Sequence, residues 1–495
     1  MPSHRVGHAH GGNMTARRVA CAGLIALAFA RAATAQDVRI TGATWVQSID
    51  LRPLRRDSVL ATAAPGTGEV RRLADGQRVS CIEGATWCSF LGSGPRETTR
   101  PFLQDLGIAA WGLGEGVSFH AHARFRESLG TSEVSWPRLG DRFDVLDAYV
   151  EVDRPRLRAR LGRQWTLGGL GAYAYDGGAL TLRRDWIDGE AFGGRALVQG
   201  LFEPYTSAEI GLVDDLPPET AAWLAGARVR VRGRAGMALT ANYLRVVQDD
   251  RSGLYAERAS VDASARVAGT QVSASYALDL ASLTVNELRV RGGRALGRFD
   301  LALEARRHRP FFELWTIWGA FAPVGFDEAR ATAGWRNPSG ELQLTASGAR
   351  RRYDDAGTGL TSIPLRNDGW RASVDASWAL EDRWTVQAGY GVDIGFGSSQ
   401  GDGSAGVAWR SGDRLELGAT ATALQTIYEF RVGTGRVLGV GMNGAVRLTS
   451  ETRLRLDAGI WRHALTNDAP GQDWSQRRGS VRLEWAIGAD PGAVR

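Results

Sequence analysis

From Val117 to Arg126 the chain alternates without a break, with Val117, Phe119, Ala121, Ala123 and Phe125 on one set of positions and Ser118, His120, His122, Arg124 and Arg126 on the other. A period of two is the signature of a β-strand with one apolar face. The pattern recurs along the chain and predicts about 22 strands, within a range of roughly 18 to 24 because boundaries read from sequence shift by a few residues. The second face carries too many charges for a dry core. Apolar outside and wet inside, the strands are those of an all-β transmembrane antiparallel barrel.

The gaps between strands fall into two sets. Short ones, such as Gly112 to Gly116, Asp153 to Arg156, Ala268 to Gly269, Asn337 to Gly340 and Ser411 to Asp413, carry the Gly, Asn, Asp and Pro of tight periplasmic turns. Long ones, at 51–100, 127–142, 165–177, 203–219, 307–326, 352–368 and 464–474, suit external loops. Counting Tyr205 to Leu212 as a strand would put 307–326 on the short-turn side, so 203–219 is taken as external. An even strand number with both termini periplasmic follows.

A secretory leader fits the same compartment. Arg17 and Arg18 precede an apolar run from Val19 to Ala30, then Ala33, Thr34 and Ala35 supply an A-x-A cleavage site. Residues 1–35 are therefore expected to be a signal peptide, of ordinary length if translation starts at Met14, and 36–495 the mature barrel. No later run approaches the roughly 20 apolar residues of a membrane helix. All 60 basic side chains are Arg, and removing the leader's four leaves 56 against 54 acidic residues, a net charge of +2. Such a balance gives no support to a nucleic-acid partner.

Two cysteines remain after the leader, Cys81 and Cys88, and an oxidising compartment predicts one disulfide between them. The intervening residues add only Glu83 as a metal donor, so no metal site is expected there.

The polar face predicts a charged lumen. Arg156, Arg158 and Arg160 share one face of a strand whose other face is Leu157, Ala159 and Leu161. The preceding strand offers Asp147 and Glu151 across a short turn, so arginine–carboxylate ladders are expected. Glu287, Arg289 and Arg291 repeat the arrangement opposite Arg298, Asp300, Glu304 and Arg306. With Arg124 and Arg126, these residues form the candidate pore lining. Compensated charges of this kind imply a strong transverse field with a weak anion preference.

The segment Leu161 to Gly178, LGRQWTLGGLGAYAYDGG, runs from Gly-Arg-Gln through a Gly-rich stretch to Tyr-Asp-Gly. It resembles the corresponding segment of alginate-export and related porin-like outer-membrane barrels. The resemblance covers fewer than 20 residues and implies a passive conduit for polysaccharides or small solutes, with Arg163, Gln164 and Asp176 at the pore or its outer mouth.

Loop 307–326 is unusually apolar, with Phe311, Phe312, Trp315 and Trp318 among its aromatics. It either joins the outer aromatic girdle or forms a constriction whose rings stack on sugars or guide an apolar solute. Loop 51–100 is a second candidate lid. His120 and His122 share a face but lack the further ligands of a metal site, and Gly112, Gly114 and Gly116 precede a strand instead of the helix a nucleotide loop needs. A barrel phospholipase would need Ser with His, and omptin-like proteolysis would need His with Asp at the outer rim, a requirement that His308 near Asp327 or His463 near Asp468 meets by placement alone.

The sequence thus predicts a non-enzymatic channel of the bacterial outer membrane, without a cofactor. Its expected partners are membrane lipid and small polar or anionic solutes or oligosaccharides. Alternatives are a transporter of apolar compounds gated by 307–326, an outer-membrane hydrolase, and a closed barrel for adhesion or assembly.

Overall fold

The computed structural model describes residues 37–51, 54–74, 78–82, 84–93, 95–129, 143–197, 222–248, 254–309, 325–354, 367–395, 398–429, 434–466 and 474–488. From Pro101–Gly114 to Trp474–Gly488 each long strand pairs antiparallel with the next, and Asp37–Leu51 pairs with both ends of the series. The short strand Glu97–Thr99 extends Pro101–Gly114 along the same neighbour. Taken with that extension, the ring closes on 22 strands. Closure pairs the strands all round the ring, parting only where Leu157–Gly168 leaves Phe143–Arg154 beyond Arg163, so the backbone N–H and C=O groups of the belt find partners within the wall, which is what a hydrocarbon environment demands.

Period two decides which face each residue takes. In Phe326–Arg336 the outward residues Asp327, Ala329, Ala331 and Ala333 are exposed, while Glu328, Arg330 and Thr332 between them are covered. Leu180, Val229, Val290, Leu303, Val374 and Ile460 lie on the same bare outer face. Beside the short turns this face carries Phe299, Trp335, Trp378, Trp384 and Trp409, and Trp223 and Trp370 stand near the opposite rim. A closed antiparallel barrel with an apolar belt between two aromatic girdles is built for the bacterial outer membrane. No described helix is long and apolar enough to cross a membrane.

The turns follow local chemistry. Gly112 and Gly116 take positive φ of 74° and 69° beside the expected first hairpin turn, and Ala268–Gly269 takes φ of 47° and 79° in a two-residue connection. The segment after Leu51, expected as one long loop, contains a separate four-stranded antiparallel sheet. Its strands are Leu54–Leu60, Val70–Arg72, Arg78–Cys81 and Trp87–Ser93, and Cys81 and Cys88 are joined by a disulfide. Ala64 and Val79 pack with that disulfide as its core.

One expected loop is absent. Residues 165–177 continue two strands, Leu157–Gly168 and Gly171–Arg183, joined only by Gly169 and Leu170. The glycines that suggested a loop lie in a hairpin whose alternation is carried by Tyr173 and Tyr175. Residues 1–36, 130–142, 198–221, 310–324, 355–366 and 467–473 lie outside the described residues. They include the expected leader and loop 203–219.

Candidate functional site

Charged side chains line the inner face in cross-strand pairs. Arg124 Nε donates to Asp105 Oδ1 at 2.7 Å, and Arg160 Nε to Glu151 Oε2 at 2.6 Å. Asp153 accepts from both Arg158 at 2.7 Å and Arg183 at 2.8 Å. Arg126 is only 3% exposed and lies 3.7 Å from Asp144. Asp147 stands 4.0 Å from His122. Farther round the wall Arg289 meets Glu304 at 2.7 Å, Arg306 meets Glu287 at 2.7 Å, and Arg291 faces Glu304 in register. Arg156 sits exposed in the turn below this row. Apart from the buried Arg126 and Asp144, these partly exposed pairs add little stability.

A hairpin folded into the lumen narrows it. Strand Leu157–Gly168 pairs with Phe143–Arg154 only as far as Arg163 opposite Ala148, then leaves it. Glycines mark the bend: Gly162 faces Gly177, and Gly177 faces Gly194. Gly162 has φ of 132°, and a Cβ there would come within 2.3 Å of the Ala148 carbonyl oxygen. A Cβ on Gly177 would approach the Gly193 carbonyl oxygen to 2.1 Å. Only glycine lets the backbones come this close.

Beyond the bend the hairpin tip reaches the inner face of Ala222–Arg232, Ala238–Gln248 and Leu254–Val267, three strands on a different part of the wall. Leu170, 7% exposed, packs with Leu224, Leu244 and Val246, and Tyr175 stacks on Phe192 with ring centroids 5.7 Å apart. Arg258 donates to the Leu170 carbonyl at 3.0 Å and to the Tyr173 hydroxyl at 2.9 Å. Arg228 donates to Thr166 Oγ1 at 3.1 Å and to Asn242 Oδ1 at 3.1 Å, and also reaches the Leu167 carbonyl. Gly169 fits because it lacks a Cβ, which would lie 2.4 Å from Asp262 Oδ2. An apolar cluster capped by two guanidinium groups thus holds the strap in place.

Arg163, expected at the pore, takes the opposite face. It lies in register with Ala148 and Asp176 and alternates with the inward Gln164, so it shares the outward side of Leu161 and Trp165. Three residues separate it from Arg160, and an odd separation in a regular strand changes face. Gln164 faces inward, 2% exposed, and donates to the Gly177 carbonyl at 3.1 Å.

Ser118 and His120 are 3.0 Å apart on the lumen face, but among the described residues no carboxylate hydrogen-bonds His120 to complete a relay. His308 points inward to Glu287 at 2.6 Å, while Asp327 faces outward and binds Arg307. No group of three metal-ligating side chains occurs among the described residues. Phe311, Phe312, Trp315 and Trp318 lie outside those residues.

No family model matches the chain, and no curated protein matches it. Solved barrels do. A variant of the ferric enterobactin receptor PfeA of Pseudomonas aeruginosa aligns at 12% identity with TM-score 0.47, over 91% of this chain and 80% of that one. OccK8 (OprE) of Pseudomonas aeruginosa aligns at 7% identity with TM-score 0.41, over 92% and 98%. The translocation pore of the P pilus usher PapC aligns at 9% identity with TM-score 0.41, over 91% and 100%. These likenesses are too distant to bear on cargo.

The strap residues Leu170, Tyr173, Arg228 and Arg258 did not stand out in the sequence. A signal was present: Leu244 and Val246 interrupt the polar face of their strand with apolar side chains, which a water-filled lumen would leave uncovered.

Proposed function

We propose that the protein is an outer-membrane channel for passive passage of polar solutes, favouring small anions or sugar-like molecules. The observation that carries this is the paired arginine–carboxylate wall of a closed barrel whose width is reduced by the folded hairpin. Arg124, Arg126, Arg158, Arg160, Arg289 and Arg291 with Asp147 and Glu151 set the field a solute meets, and the strap sets the size limit. Near-complete pairing gives a weak preference for anions in place of strong exclusion of cations. Residues 1–35 act as the leader that delivers the chain, and the sidedness of the turns follows. The similarity of Leu161 to Gly178 to alginate-export barrels extends the proposal to oligosaccharides, with this segment as the narrowing element.

Planar-bilayer recording of the purified protein tests this. Stable conductance with a reversal potential slightly on the anion side, and partial block by added oligosaccharides, is the expected result. Silence both in the intact protein and after removal of the hairpin tip 168–171 would exclude passive transport.

A further inference from the structure

The wall parts at one place, and both lips of the parting are apolar. Among the described residues Phe143–Arg154 has a strand on each side only as far as Ala148; from there back to Phe143 it pairs with Val117–Ser128 alone. That lip ends in outward phenylalanines. Phe143, an exposed residue, stands in register with Phe125, whose ring packs edge-on against Phe102 at 6.2 Å.

The facing lip is Leu157–Gly168 above its bend. Period two puts Leu161, Trp165 and Leu167 on one face of that strand, where they are 71%, 42% and 62% exposed. Below the bend this face meets the membrane, with Leu161 beside the outward Val150. Above the bend it belongs to a hairpin held inside the barrel, because the opposite face, with Thr166 and Tyr173, is the one fastened to the inner wall by Arg228 and Arg258. One apolar track thus runs from lipid to lumen along a single strand.

The track is interrupted once. Arg163 and Asp176 form their ion pair on this same face, and Arg163 is the seventh residue of its strand, inside a belt that takes about ten residues to cross. A charged pair turned towards lipid at that depth costs free energy, and the parting brings it within reach of lumenal water. A wholly apolar molecule on the track would strip that water from the pair, whereas a polar head can hydrogen-bond to it.

We propose that the parting is a lateral port between lumen and bilayer for single-chain amphiphiles, the tail lying along Leu161, Trp165 and Leu167 and the small polar head passing Arg163 and Asp176. This route is separate from the passage of polar solutes down the barrel axis.

Photolabelling of the full chain in phospholipid vesicles with a diazirine-bearing palmitic acid tests the track. Label should appear on 164–168 as well as on belt residues such as Val374 of the distant strand Asp368–Leu380, and excess palmitate should displace it from 164–168. Passage is read as uptake of radiolabelled palmitate by cells carrying the protein in their outer membrane. Leu167→Glu sets a charge on the track and should slow uptake roughly tenfold. Ala172→Trp, in register with Leu167, fills the track without a charge and should slow uptake as well. In both variants uptake should fall further than single-channel conductance. Heat-modifiable migration reports folding, and Ala172→Trp supplies the readout should Leu167→Glu misfold. Label confined to the belt, label on 164–168 that palmitate does not displace, or uptake unmoved in both variants would overturn the port. Conductance falling in step with uptake would put palmitate in the axial channel and overturn it too. A wild type that is silent in planar bilayers yet takes up palmitate with label on 164–168 would sink the polar channel and leave the port standing.

Discussion

Arg163 and Asp176 face each other across adjacent strands, joined by Nε to Oδ1 at 2.8 Å and Nη2 to Oδ2 at 3.0 Å, at the point where the wall parts. The third donor direction of Arg163 is used as well: Nη1 reaches back 2.9 Å to the Val145 carbonyl on the strand the hairpin has left. The residue bridges the split and fixes the angle at which the hairpin enters the lumen. Removing either partner should loosen the strap. Asp176→Asn is expected to cost about 1 kcal/mol, a modest figure because the pair is partly exposed, and to appear as faster flicker in single-channel records with mean conductance little changed. A quiet, wild-type trace would argue against a bracing role.

Leu170 anchors the tip. Replacing it with Asp removes about 2 kcal/mol of apolar burial and sets a charge in the cluster formed by Leu224, Leu244 and Val246. The tip should leave the wall and the conductance should rise, with the barrel still heat-resistant on gels. An unchanged conductance would mean that the strap does not limit the pore.

Gly162 sits at the bend with φ of 132° and a backbone oxygen where a side chain would go. Gly162→Val is expected to impair assembly of the folded barrel, because both the conformation and the contact forbid a Cβ there. The measurement is the yield of heat-modifiable protein in isolated outer membranes. Gly292→Val is a suitable control, since nothing crowds a Cβ at that position.

Glu151 serves two arginines, accepting from Arg160 at 2.6 Å and lying 3.5 Å from Arg158. Glu151→Gln leaves the lumen one unit more positive and should shift the reversal potential further to the anion side in a salt gradient. The shift should shrink as salt is raised, since half-exposed charges are screened. A shift towards cations would contradict the lumenal position of the pair.

The disulfide Cys81–Cys88 closes a short loop in the separate small sheet, for which chain entropy gives about 2.5 kcal/mol. Cys81→Ser with Cys88→Ser should make residues 54–93 protease-sensitive while leaving the barrel fully resistant. Mass mapping of limited digests distinguishes this from global unfolding.

Much of the architecture was legible because a barrel is written in a local code. Alternation such as Val117 to Arg126 depends only on neighbouring residues, and each tight turn carries its own Gly, Asn or Asp, so strand number could be counted. Arg163 was legible in principle, since three residues from Arg160 is an odd step. Its place at the pore rests on the resemblance of Leu161 to Gly178 to porin-like barrels, and parity outweighs that likeness in a strand. Leu170 was not legible: its value depends on Leu244 and Val246, more than seventy residues away in sequence.

By itself the sequence determined a barrel wall of about 22 alternating strands with one apolar face, and one disulfide between Cys81 and Cys88, because each depends on residue spacing or composition. Only the tertiary structure decided that the Gly-rich segment after Arg163 folds inward and that its tip at Leu170 rests on Leu224, Leu244 and Val246. The physical reason is the same in both cases. Which strands lie beside one another, and where a wall bends, is set by pairing between distant segments, and no local pattern encodes what will be found opposite.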